Sequence, residues 1–137
     1  MNKVLFVDLE NEQINSSLQN LKYYTDYRIV ICVHKGNGGM FRRKLDFDVL
    51  QLPNVKLKIV DYEGKQIVDF YIYTKAIEMK MLNPTIKIAV LSADKGFSTF
   101  AQVSKAIDKV YVDLPIPKMN LDTVLDKDIQ QLSLFMY

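Results

Sequence analysis

Cysteine and histidine are almost absent from this chain of 137 residues, which has one of each. The lone Cys32 excludes an intramolecular disulfide and gives no sign of an oxidising compartment. Cys32 and His34 share one stretch, with no further Cys or His to complete a zinc set. Long apolar runs are also missing: none approaches the roughly 20 residues that cross a bilayer. The opening MNKVLFVDLENE meets acids too soon for a signal peptide. A cytoplasmic protein with no membrane contact is therefore expected. No charge sign dominates, since 18 Lys and Arg stand against 16 Asp and Glu, a net +2. Bulk attraction to nucleic acid is excluded at that balance, so any such contact has to be local. Glycine is sparse, and three of the five fall in VHKGNGGMFRRK (33–44) without the spacing of a Walker A loop. There is no internal repeat and no low-complexity tract.

What is present is enough apolar sequence for one core. KVLFVD (3–8), YRIVICVH (27–34), VKLKIVD (55–61), IKIAVLSA (86–93) and KVYVDL (109–114) read as strands. Several are apolar at nearly every position, as strands covered on both faces are. Helical spacing occupies EQINSSLQNLKYY (12–24), QIVDFYIYTKAIEMKML (66–82) and FSTFAQVSKAI (97–107), with a short helix expected near 41–52. This alternation predicts a three-layer α/β/α domain around a central, mostly parallel, five-stranded sheet. PIPK (115–118) ends the fifth strand's run. NLDTVLDKDIQQLSLFMY (120–137) reads as a C-terminal helix, so that 118–137 packs on the domain or on a second copy in a homodimer.

Acids sit where such a sheet binds ligands, outside the carboxyl ends of its strands. Asp8 ends the first strand, and Asp94 follows the fourth in LSADKGF (91–97). Asp69 interrupts the apolar run of the longest helix, and Glu10 and Asn11 lie just past Asp8. Carboxylates gathered in one cleft raise a pKa or hold a hard cation such as Mg²⁺ or Mn²⁺. Each also has a plain structural account. Asp8 and Asn11 suit a helix cap, Asp69 suits the positive end of its helix, and Asp94 suits a turn in which Gly96 takes a positive φ.

FVDLEN, GKQIVDFYI and LSADKGF, in this order and with strand-helix-strand spacing, resemble the PIN-like nuclease domains, the NYN branch and bacterial PIN-like proteins among them. The likeness spans about residues 3–113. It implies a parallel sheet whose acids bind Mg²⁺ or Mn²⁺ and hydrolyse phosphodiester bonds of single-stranded RNA. By motif, Asp8, Asp69 and Asp94 become the catalytic metal ligands, with Glu10 assisting. Asn11, Lys65, Ser92 and Lys95 become candidates for substrate contact. Many relatives carry a further acid after the third motif, where this chain has Gly96 and Ser98. A module that binds RNA or protein and cuts weakly or not at all is the alternative.

Arg42 and Arg43, beyond the glycines, suit a lip that contacts RNA phosphates, or a solvated helix start. Among the aromatics, Phe6, Phe70, Phe97 and Phe100 are expected in the core. Tyr23, Tyr24, Tyr62, Tyr71 and Tyr73 are expected at the rim.

Overall fold

The computed structural model describes residues 2–10, 12–37, 47–64 and 66–117. Five strands form one all-parallel sheet: β1 (Lys3–Asp8), β2 (Arg28–His34), β3 (Val55–Val60), β4 (Lys87–Leu91) and β5 (Lys109–Tyr111). Their order is β3-β2-β1-β4-β5. The chain builds outward from β1 in one direction and then returns to build from β4 in the other. The reversal therefore falls between β1 and β4, which pair from Lys3↔Lys87 to Val7↔Leu91.

Two apolar layers cover the sheet. On one face, Leu5, Val7, Ile29, Ile31 and Leu91 pack with Leu18 and Leu21 from a 3₁₀ helix (Glu12–Tyr23), with Tyr24 just past it, and with Val49 from α1 (Phe47–Leu50). On the other, Val4, Phe6, Ile88 and Val90 pack against Val68, Ile72 and Ala76 of α2 (Ile67–Leu82) and Phe97 of α3 (Gly96–Ser104). Alternation along each strand sends successive side chains to opposite layers, so β1 from Val4 to Val7 and β4 from Ile88 to Leu91 are apolar at every position. The expected three-layer α/β/α architecture is what forms. Each fully buried Leu, Ile or Phe contributes about 1.5–3 kcal/mol toward holding the layers together.

Local structure departs from expectation in a few places. Residues 12–23 wind as a 3₁₀ helix, fastened to the chain after β5 by Asn20 Nδ2 donating to the Leu114 carbonyl (2.8 Å) and by the Leu114 amide donating to Ser17 Oγ (3.0 Å). Tyr24 is buried rather than at the rim, because its hydroxyl donates to the Pro115 carbonyl in the same seam. Phe70 is 52% exposed, not core. Of the 41–52 helix, residues 47–52 are described and only Phe47–Leu50 among them is helical, and the helix expected at 120–137 lies outside the described residues. Among the described residues, no helix is long and apolar enough to cross a membrane.

Candidate active site

Three carboxylates from three elements meet at the carboxyl edge of β1 and β4. Asp8 is the last residue of β1 and only 2% exposed. Its Oδ2 accepts from Ser92 Oγ (2.7 Å) and its Oδ1 from the Glu10 amide (3.2 Å). Ser92 Oγ in turn accepts from the Asp94 amide (3.0 Å). One buried hydroxyl thus ties the ends of the two strands together and fixes Asp94 relative to Asp8. Asp94 Oδ1 accepts from the Gly96 amide (2.8 Å), an Asx turn that leads into α3. Asp94 therefore shapes the turn and faces the cluster at once.

Asp69 arrives from the opposite direction. Gly64, at φ 136°, and Gln66, at φ 60°, turn the chain from β3 into α2. A side chain is strained at the first of these angles, which accounts for glycine there. The turn leaves Asp69 in the first turn of α2, 7% exposed and within hydrogen-bonding reach of both Asp94 and Asp8.

Electrostatics follow from this crowding. Burial, the hydrogen bond to Asp94, and the charges of Asp8 and Asp94 push the Asp69 carboxyl up to about 8. Asp94 is held below the usual carboxylate range by the hydrogen bond with Asp69 and then by the Gly96 amide. Burial raises Asp8, against the pull of the Ser92 hydroxyl and the Glu10 amide. Burial and the two neighbouring carboxylates thus favour the protonated form of Asp69. Among the described residues, no Lys, Arg or His forms an ion pair with any of the three.

Other expected site residues fall at varying distances from this core. Ser92, expected to contact substrate, is fully buried and positions the two acids instead. Glu10 lies next to the cluster, but its Oε1 accepts from the His34 amide. Lys95 is exposed at the start of α3. Asn11, Arg42, Arg43 and Lys65 lie outside the described residues. Gly96 does not take a positive φ: it begins α3, and its small size has another cause. A Cβ there would stand 3.0 Å from the Tyr73 hydroxyl and 3.1 Å from Asp94 Oδ1.

Tyr73 is the site residue that sequence reasoning left at the rim. Burial raises its phenol, and so do the charges of Asp69, Asp94 and Asp8, which places the hydroxyl in the field of all three. The signal was its spacing, four residues beyond Asp69 and so on the same helical face. Cys32 is buried at the end of the β1–β2 ladder, with its thiol pushed far up by burial, and has no role as a nucleophile.

The donor set fits a hard divalent cation in kind, being all carboxylate, with no ion-pairing cation among the described residues. No group of three or more His, Cys, Asp or Glu side chains among the described residues has the spacing of a metal cage. The oxygens are turned to one another, to Ser92 and to Gly96. Compared with family models, with curated proteins and with solved structures, the chain has no match.

Proposed function

We propose that this protein is a PIN-like, metal-dependent ribonuclease that hydrolyses phosphodiester bonds of single-stranded RNA. The observation that carries the proposal is the convergence of Asp8, Asp69 and Asp94, from β1, α2 and the β4–α3 turn, at one edge of the sheet. Structural acids in a fold are paired with donors or cations, whereas like charges concentrated in a cleft are a common mark of a functional site.

Asp8, Asp69 and Asp94 would hold Mg²⁺ or Mn²⁺. The bound cation supplies charge neutralisation at the phosphate and a more acidic water. The protein's own share is positional. Ser92 locks Asp8 and the Asp94 backbone in register, and the Gly96 amide orients the Asp94 carboxylate. Asp69, ionised, would supply the third negative charge to such a cation.

A second reading, RNA or protein binding without efficient cutting, draws on Glu10. Its carboxylate is engaged by the His34 amide, and Gly96 and Ser98 supply no further acid. The two readings separate in one assay: labelled single-stranded RNA with wild type, Asp69→Asn and Asp94→Asn, in Mn²⁺, Mg²⁺ or EDTA. Metal-dependent cutting by the wild type that both variants lose is expected. Binding without cutting under every condition would overturn the nuclease reading in favour of the second.

A further inference from the structure

Phe70 follows Asp69 on α2, yet its ring is more than half exposed while Val68, Asp69 and Ile72 are buried. An aromatic ring left in water beside an acidic cluster is costly unless something covers it. Phe70 meets Tyr73 edge-on, with centroids 6.3 Å apart, and Tyr73 stacks on Phe100 at 4.2 Å with an 18° tilt. The same Tyr73 carries its hydroxyl to the Asp94–Gly96 turn. An aromatic ridge therefore runs from the acids to the surface.

On the other flank of α2, Phe70 walls a cleft of about 420 Å³ together with Lys58, Tyr62, Tyr71, Lys75 and Glu78. That volume lies in the range of small-ligand sites, about 300–1,000 Å³. Tyr62 is 68% exposed at its mouth. Lys58 Nζ lies 5.6 Å from the Tyr71 ring centroid, and Lys75 Nζ lies 5.9 Å from it. Lys75 is already paired with Glu78 at 3.1 Å, so Lys58 is the cation better placed for an added anion. Flat apolar rings beside a lysine match one chemistry well, a nucleobase joined to a phosphate.

Resting on the ribonuclease reading of the acid cluster, we infer that this cleft takes one unpaired nucleotide of the RNA, its base stacked on Phe70 and its phosphate against Lys58. A paired base has both faces covered and cannot present one to Phe70. The cleft is thus what makes the enzyme select single strands, while the acids on the opposite flank of α2 act on the backbone.

The test is binding of the full chain, in EDTA, to a short oligoribonucleotide carrying a fluorescent adenine analogue that is quenched on stacking. Phe70→Ala and Phe70→Leu are expected to weaken binding about tenfold and to abolish the quench, while Phe70→Trp keeps both. Lys58→Ala is expected to lower the slope of log affinity against log salt by about 0.7. Unchanged thermal unfolding of these exposed-site variants excludes a folding defect. Phe70→Ala that binds and quenches like wild type overturns the inference, as does equal competition by duplex. Cleavage in Mn²⁺ is scored separately. A wild type that binds through Phe70 but never cuts overturns the nuclease reading alone. A wild type that cuts with Phe70 irrelevant to binding overturns the cleft alone, and one that binds no RNA overturns both.

Discussion

The two edges of the sheet treat their acids in opposite ways. At the amino edge, Asp108 accepts from Lys80 Nζ (2.8 Å) and from the Ile88 amide (2.8 Å), joining the approach to β5, the start of β4 and the end of α2. Burial pushes its carboxyl up, but those hydrogen bonds and the charges of Lys80 and Lys87 outweigh it and hold the group below its ordinary value. At the carboxyl edge, Asp69 has other carboxylates for neighbours and is driven up to about 8. An acid whose work is structural is given its cation by the fold. The acids of the other cluster are given only a hydroxyl, two amides and each other, which leaves charge for something that binds.

The sharpest way to break this comparison is to remove one charge from each edge. Asp69→Asn retains a donor toward Asp94 and so keeps the local hydrogen bonding while deleting the negative charge. It is expected to lower RNA cleavage by about a hundredfold or more. Asp108→Asn, at the far edge, is expected to cut at the wild-type rate per folded molecule. Equal losses in the two variants, measured as kcat on labelled RNA, would erase the distinction between the edges.

Next in size is the response to divalent ions. Mn²⁺ or Mg²⁺ bound only by the folded state adds about 2.7 kcal/mol of stability when present at a hundred times Kd. Thermal unfolding should rise with added cation in wild type and in Asp108→Asn, and not in Asp69→Asn or Asp94→Asn. Because the cation displaces the Asp69 proton, the shift should strengthen as pH climbs toward about 8 and then level off. A shift that survives in Asp69→Asn would place the ion elsewhere.

Smaller effects appear in metal-free stability, with opposite signs at the two edges. The Asp69 carboxyl titrates higher in the folded state than in the unfolded one, so its contribution is fully present below the unfolded value and is lost as pH rises through about 8. Asp108 is shifted down, so its contribution is present above the unfolded value and is lost as pH falls through the folded one. Melting temperatures should therefore decline less steeply in Asp69→Asn as pH rises from the ordinary carboxylate range to about 8, and less steeply on the acid side in Asp108→Asn. At neutral pH, Asp108→Ala should cost about 1–2 kcal/mol in chemical denaturation, a hydrogen-bonded ion pair discounted for partial exposure.

The acids were legible in the sequence because a strand end is readable from its apolar run. Asp8 and Asp94 close such runs, and Asp69 stands out as the charge within another. The β–α alternation likewise gave the parallel sheet, though not the 3₁₀ winding of residues 12–23, which is fastened by contacts near Leu114, some ninety positions away. Side-chain assignments failed where burial is decided by such distant partners. Tyr24 looks like a rim residue until Pro115 reaches it, Phe70 looks like core until α2 turns it outward, and Ser92 looks accessible until β1 and β4 close around it. The pairing of Lys80 with Asp108, 28 positions apart, carries no local signal at all.

The finest test lies at Gly96, where the two kinds of group, acid and aromatic, touch the same empty space. Alanine there would gain helical propensity of up to about 1 kcal/mol over glycine. Its methyl would nevertheless stand 3.0 Å from the Tyr73 hydroxyl and 3.1 Å from Asp94 Oδ1, so one of them has to yield by a few tenths of an ångström. Tyr73 is clamped between Phe97, at 4.9 Å, and Phe100, at 4.2 Å, whereas Asp94 is held on that side by the Gly96 amide itself. Asp94 is therefore the group that moves, and Gly96→Ala should lower kcat by roughly fivefold with little change in RNA affinity, the pattern of lost transition-state positioning. Removing the hydroxyl as well, in Gly96→Ala with Tyr73→Phe, frees the space on the other side and should restore most of the rate. Wild-type kcat in the single variant would mean that the carboxyl edge tolerates a displaced Asp94. The acids would then act as a diffuse pool of charge, and their exact placement by Ser92 and Gly96 would carry no catalytic weight.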